Sequence, residues 1–187
     1  MPNIIFEILF AFILFLPAYI ANPAAVIFGG YFPMDFGKTF FGKGRIFGKG
    51  KTWSGFIGGS LSGAALGYLM IIIFIPTGWI GGYPYGSTII AASVTIFSMS
   101  VGSLVGDATG SFIKRRMGLK SWANAFLLDQ WPFVLVAFLF LFIFSRDFFM
   151  QYYGNIIGTL TILLVTPPLH RAVNIVGFKT KRKNVPW

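Results

Sequence analysis

The sequence predicts an all-α integral membrane protein with five transmembrane helices, and three observations lead to it. Of its 187 residues 56% are hydrophobic and only 11% charged, whereas soluble domains average about 25% charged residues. The apolar residues gather into five runs near the ~20-residue length that crosses a hydrocarbon core. The cations sit between those runs, in every second connection.

The first run, 4–28, lacks a basic leader and a small-residue cleavage site, so it is expected to be a retained span, not a signal peptide. Asn22-Pro23 is expected to interrupt its helix, because proline removes a backbone donor and disfavours helical geometry at the residue before it. The connection 31–53 carries Asp35 and the cations Lys38, Lys43, Arg45, Lys49 and Lys51, spaced by glycines. The second run, 54–75, has Gly55, Gly59, Gly63 and Gly67 at intervals of four. The turn 76–87 has no Lys or Arg. The third run, 88–106, repeats the small-residue interval at Ser98, Gly102, Gly106 and Gly110. Stripes of this kind let helix backbones approach closely in lipid.

The connection 107–124 carries Lys114, Arg115, Arg116 and Lys120. The fourth run spans 125–145, and the turn near Asp147 has only Arg146. The fifth run, 154–170, is short and is expected to end against Pro167-Pro168, before a tail with Lys179, Lys181, Arg182 and Lys183. By the positive-inside bias, this alternation puts the N-terminus outside, the C-terminus in the cytoplasm and both long polar loops on the cytoplasmic face. With no internal repeat and no low-complexity linker, residues 1–187 are read as a single domain.

Charge and composition also narrow the function. The net charge of +10 lies in short segments between apolar runs, which points to loops at an anionic bilayer face and not to a nucleic-acid partner. The absence of Cys excludes disulfides, thiolate metal sites and a Cys nucleophile. The sequence carries no signal of oligomeric state.

The stretch 106–130 holds Asp107 and Asp129, two of the chain's five acids. If the third helix runs on past the membrane, Asp107, Ser111 and Lys114 fall at i, i+4 and i+7 on one face, with Arg115 at its edge. That face offers a carboxylate for a hard cation, a hydroxyl, and cations for phosphate oxygens. An acid at a membrane border is costly and points to function, although juxtamembrane anchoring accounts for the basic residues equally well. Asp129 is placed in the first turn of the fourth span, where an acid also complements the helix dipole. Mg2+ commonly takes one or two carboxylates together with substrate phosphates, which suits this pair.

In the first loop, Gly50-Lys51-Thr52 ends like a phosphate-binding loop. However, Arg45 occupies the position of the first Gly, and no βαβ unit precedes it, so a Walker fold is rejected and polyphosphate binding retained. A lone histidine near a helix end, His170, reads as structural or interfacial. No pair of side chains has general-base spacing, so the nucleophile is expected to be already anionic, as a phosphate monoester attacking a nucleoside triphosphate would be. The alternative is a small membrane transporter of anions or phosphorylated lipids, which should carry its polar residues near mid-membrane in paired halves.

These residues resemble the CDP-archaeol synthase family, the CTP-dependent cytidylyltransferases that activate archaeal ether lipids. The resemblance rests on Asn22-Pro23, Pro33-Met34-Asp35-Phe36-Gly37-Lys38, the run from Gly44 to Thr52, Gly106-Asp107 through Arg116, and Leu128-Asp129-Gln130, in that order along most of the chain. In the related CDP-diacylglycerol synthases the signature runs Ser, Lys-Arg, a further Lys and acids downstream, an order matched by Ser111, Lys114, Arg115, Lys120 and Asp129. Ser121 stands where that signature has an acid, Gln130 where it has Arg, and its His-Gly-Gly element is missing, departures that favour the archaeal branch. The resemblance implies transfer of CMP from CTP to 2,3-digeranylgeranylglyceryl phosphate, with Mg2+ and release of pyrophosphate.

Together these readings assign Asp107 and Asp129 to the metal and Asp107, Lys114 and Asp129 to catalysis. Substrate binding is expected from Asn22, Pro23, Asp35, Lys38, Arg45, Lys51, Thr52, Ser111 and Arg115, with the lipid tails held in the bilayer.

Overall fold

The computed structural model describes residues 4–41, 44–78, 83–119, 123–182 and 185. Lys43, Lys120, Ser121 and Lys183, named above, lie outside them. The described residues form seven α-helices: α1 (Ile4–Leu14), α2 (Leu16–Phe28), α3 (Trp53–Thr77), α4 (Ile89–Arg116), α5 (Trp131–Phe144), α6 (Arg146–Tyr152) and α7 (Ile156–Lys179). A 3-10 turn, Leu127–Asp129, precedes α5.

Four segments are long and apolar enough to cross a membrane: Ile4–Phe28, α3, α4 and α7. The fourth predicted run divides differently. It becomes the 3-10 turn followed by α5, an apolar helix of 14 residues, with α6 packed behind it.

The prolines do not act where the sequence suggested. The first segment breaks at Phe15, while α2 passes through Pro23. Pro17 provides the reason, because it has no N–H for the Ile13 carbonyl and ends α1, yet suits the start of a new helix. α7 likewise continues through Pro167 and Pro168 to Lys179. Interior prolines are tolerated in membrane helices, and the extension carries nine residues of α7 beyond His170.

The glycine stripes set the helix pairing. A Cβ added at Gly55, Gly59 or Gly63 would lie 2.6, 2.5 or 2.5 Å from the carbonyl oxygens of Ala25, Ala21 and Pro17. Each step of four up α3 is a step of four down α2, so the two helices run antiparallel in near backbone contact. On α4, Cβ atoms at Gly102 and Gly110 would come within 2.9 Å of the Ala137 Cα and 2.8 Å of the Leu128 oxygen. One at Gly106 would collide with the Pro132 carbonyl. α4 therefore backs onto α5 as closely as α3 backs onto α2.

The opposite end of the bundle is an aromatic core. Phe15, Phe138, Tyr153, Tyr85 and Phe148 are buried there. The Phe15 and Phe138 rings lie 5.5 and 5.1 Å from that of Tyr153, and the Tyr153 hydroxyl donates to the Ala11 carbonyl at 3.1 Å. This packing ties α1, α5 and α6 together and leaves the charged residues of the cavity to the other end.

Candidate active site

The site is assembled from five chain segments that meet at one end of the bundle. They are the C-terminal half of α2, the end of the first loop, the last turns of α4, the turn before α5, and the second half of α7. A cavity of about 350 Å³ opens among them. Asn22, Pro23, Lys51, Asp107, Ser111, Lys114, Arg115 and Asp129 line it, all of them residues singled out from the sequence.

α4 runs unbroken to Arg116, which puts Asp107, Ser111 and Lys114 on the cavity side. Asp129 sits in the 3-10 turn, two residues ahead of α5 and not in its first turn. Its position is set locally, since its N–H donates to the Ala125 carbonyl and its Oδ2 accepts from the Ala125 N–H, both at 2.9 Å. The two acids of the stretch 106–130, 22 positions apart in the chain, thus share one cavity. Each carboxylate pairs with a lysine: Lys51 with Asp107, and Lys114 with Asp129. The side chains of these pairs are between 13% and 36% exposed, open to the cavity and not sealed in the core.

The three adjacent cations at the end of α4 have separate jobs. Lys114 reaches Asp129, and Arg115 donates to the Leu119 carbonyl. Arg116 turns the other way. Its guanidinium donates to the Arg45 carbonyl at 3.1 Å and the Phe40 carbonyl at 3.3 Å, and lies 4.7 and 5.1 Å from the Phe40 and Phe112 ring centres. Arg116 thereby docks the first loop onto α4.

That loop folds around Asp35, whose side chain is fully buried. Arg45 holds the carboxylate with two guanidinium nitrogens, and the N–H groups of Gly37, Phe47 and Gly48 donate to it at 3.0, 3.2 and 3.2 Å. Burial alone would raise this carboxyl, but the Arg45 guanidinium and the backbone donors outweigh it and hold it at about 2, below the ordinary 3.8. Glycine is needed where the backbone turns back with φ of 79° at Gly37 and 94° at Gly48.

Thr52 caps α3, its hydroxyl accepting from the Gly55 N–H at 3.2 Å and the Gly30 N–H at 3.3 Å. Lys51 is therefore clamped between a closed loop and a capped helix, with its ammonium at Asp107. Asp35, Arg45 and Thr52 do not line the cavity, and Lys38 is exposed outside it.

α7 contributes residues that the sequence reading had not assigned to the site. His170, Asn174 and Gly177 line the cavity. His170 Nδ1 lies 3.2 Å from Asn174 Nδ2, and its ring stacks on Phe133 with centres 6.4 Å apart. The i, i+4 spacing of His170 and Asn174 was the available signal, masked by the expectation that the helix stopped at the prolines. Deeper on α2, the Asn22 amide nitrogen donates to Ser103 Oγ at 2.8 Å, and Ser103 donates to the Ala18 carbonyl at 2.8 Å. Asn22 Oδ1 is buried and has no hydrogen-bond partner among the described residues. A second cavity, about 430 Å³, lies between 124–130 and 167–175 and shares Asp129, His170 and Asn174 with the first.

The donor set can be tested against Mg2+. Among the described residues no cluster of three or more His, Cys, Asp or Glu forms a protein-only metal cage. Two carboxylates facing one cavity beside Lys51, Lys114 and Arg115 do fit an ion held jointly by protein and substrate phosphates.

A family model described as CarS-like, CDP-archaeol synthase, matches residues 1–187. The CDP-archaeol synthase of Picrophilus torridus is 58% identical over 188 residues, covering 100% of both chains. That of Pyrococcus furiosus is 42% identical over 183 residues, covering 96% of this chain and 98% of its own. A solved structure, described as an intramembrane enzyme for archaeal membrane lipids biosynthesis, superposes with a TM-score of 0.67 at 32% identity. It covers 88% of this chain and 92% of that one. None of these relatives is a transporter, and the charged residues of the cavity lie at one end of the bundle.

Proposed function

The chain belongs to the CDP-archaeol synthase family, and on that premise we propose that it transfers CMP from CTP to the phosphate of an archaeal ether lipid, 2,3-digeranylgeranylglyceryl phosphate. The products are CDP-archaeol and pyrophosphate. One observation carries the site assignment: Asp107 and Asp129 line the same cavity with Lys51, Lys114 and Arg115.

In this reading an oxygen of the lipid phosphate attacks the α-phosphorus of CTP. The new P–O bond forms as the bond to the bridging oxygen breaks, and pyrophosphate leaves with the electron pair. The nucleophile is already ionised, so the site's work is alignment and charge neutralisation. Asp107 and Asp129 would hold Mg2+, which would supply positive charge to neutralise the phosphates. Lys51, Lys114 and Arg115 bind phosphate oxygens, and Ser111 supplies a hydroxyl beside them. Asn22 and Pro23 form the membrane-side wall against which the substrates are positioned.

Asp35, Arg45 and Thr52 serve the substrate by holding the loop that places Lys51, and Lys38 adds positive charge outside the cavity. The lipid tails remain among the apolar helix faces while the phosphate enters the polar end.

The protein is a membrane-embedded helical enzyme. We read it as one domain with five crossings, α5 serving as the short fourth. The active site faces the cytoplasm, because the basic connections all lie at its end and the other end carries only Arg146. Purified protein supplied with labelled CTP, Mg2+ and the ether-lipid phosphate should form labelled CDP-lipid. Turnover with a different nucleoside triphosphate and none with CTP would overturn the assignment.

A further inference from the structure

Both lysines that the proposed reaction needs for phosphate are engaged by the carboxylates it needs for metal. Lys51 contacts Asp107, Lys114 contacts Asp129, and among the described residues neither ammonium has a second hydrogen-bond partner. These four side chains sum to zero charge. All four line one partly enclosed cavity.

We propose that Lys51 and Lys114 are exchangeable counter-ions that bar bare Mg2+ from the site and admit it only as a metal–triphosphate complex. The inference rests on the metal role proposed for Asp107 and Asp129. A dication entering alone would have to displace both ammonium groups, leaving them unpaired beside it, where like charges repel strongly and water screens poorly. A metal–triphosphate brings the missing anions. Each lysine then passes from a carboxylate to a phosphate oxygen, and the carboxylate turns to the metal, so no charge is stranded at any stage.

The side chains suit such an exchange. Lysine is a point charge on a flexible stem with rotatable donors, whereas an arginine fork is fixed in plane. The contrast is present in the same molecule. Arg45 binds Asp35 through two nitrogens, and the oxygens of that carboxylate are completed by backbone N–H groups. Asp107, in comparison, accepts from Lys51 alone among the described residues. Asp129 keeps one backbone donor, the Ala125 N–H, which holds its carboxylate in place when the lysine leaves.

The test uses the full chain in detergent, Mn2+ as the probe ion, and no lipid phosphate. Protein-bound Mn2+ is read by equilibrium dialysis with the free Mn2+–CTP complex counted separately. Wild-type protein should take up Mn2+ at least about tenfold more tightly with CTP than without. Lys51→Met and Lys114→Met should gain Mn2+ uptake without nucleotide and lose CTP affinity, while Lys51→Arg, which keeps the charge, should not gain it. The wild-type comparison stands whether or not a variant folds. Equal Mn2+ affinity with and without CTP would overturn the exchange and leave the metal assignment standing. No uptake under either condition would overturn both.

Discussion

Carboxylates meet cations in two regions of this protein, and the two regions treat them differently. In the first loop Asp35 is fully buried, bound by Arg45 through two nitrogens and by three backbone N–H groups. In the cavity, Asp107 and Asp129 each meet a single lysine and stay partly open. A buried charge whose hydrogen bonds are complete specifies a shape. A charge left with spare acceptor capacity beside a cavity is available to a ligand. The difference lies in satisfaction and access, and in a mobile lysine where the closed region has an arginine fork.

The largest effect should come from the open region. Asp107→Asn should lower the rate of CMP transfer by about 10³-fold, because it removes charge where the metal–triphosphate is to be held. Its thermal unfolding should stay close to wild type. A Gly106→Ala variant probes the same region without changing any charge. Its Cβ would collide with the Pro132 carbonyl and push α4 from α5, separating Asp107 from Asp129. A displacement of that kind should cost about 10²-fold in rate, visible with saturating CTP and lipid.

The closed region should respond in a different way. Asp35→Ala leaves Arg45 and three amides without their acceptor, and should destabilise the loop by about 3 kcal/mol. Faster proteolysis between 29 and 52 would report it, together with a rise in KM for CTP that exceeds the fall in kcat, since Lys51 is then placed less well. A large loss of kcat with the loop still protected would erase the distinction between the two regions.

The smallest effect is the acid response of this loop. Its carboxyl is depressed to about 2 from an ordinary 3.8, so the stabilisation is complete above the unfolded value and lost as pH falls through the folded one. The loop should resist an acid-active protease at pH 4 and open as pH approaches 2. Asp35→Asn should abolish that pH dependence.

The distinction between these regions explains what was legible in the sequence. Apolar runs and their charged connections gave the helices and the end where the site lies, because span length and loop charge are local properties. The stripes at Gly55–Gly67 and Ser98–Gly110 announced close packing, and the intervals of four are met by carbonyls four residues apart on α2. Asp35 and Arg45 were not separable from Asp107 and Lys51 in the sequence, because the amides that complete Asp35 come from positions 37, 47 and 48 once the loop has closed. The effect of each proline depended on where in its helix it fell. Pro17 broke the first segment and Pro167-Pro168 broke nothing, so His170 and Asn174 entered the site unannounced.

The most direct test of the account is CTP affinity in the presence of Mg2+ for wild type, Asp107→Asn, Asp129→Asn and the double variant. If the two carboxylates share one metal–triphosphate, each single change should weaken binding at least about tenfold, and the double variant should be little weaker than the worse single one. Losses that simply multiply, or wild-type affinity in either single variant, would contradict a shared site.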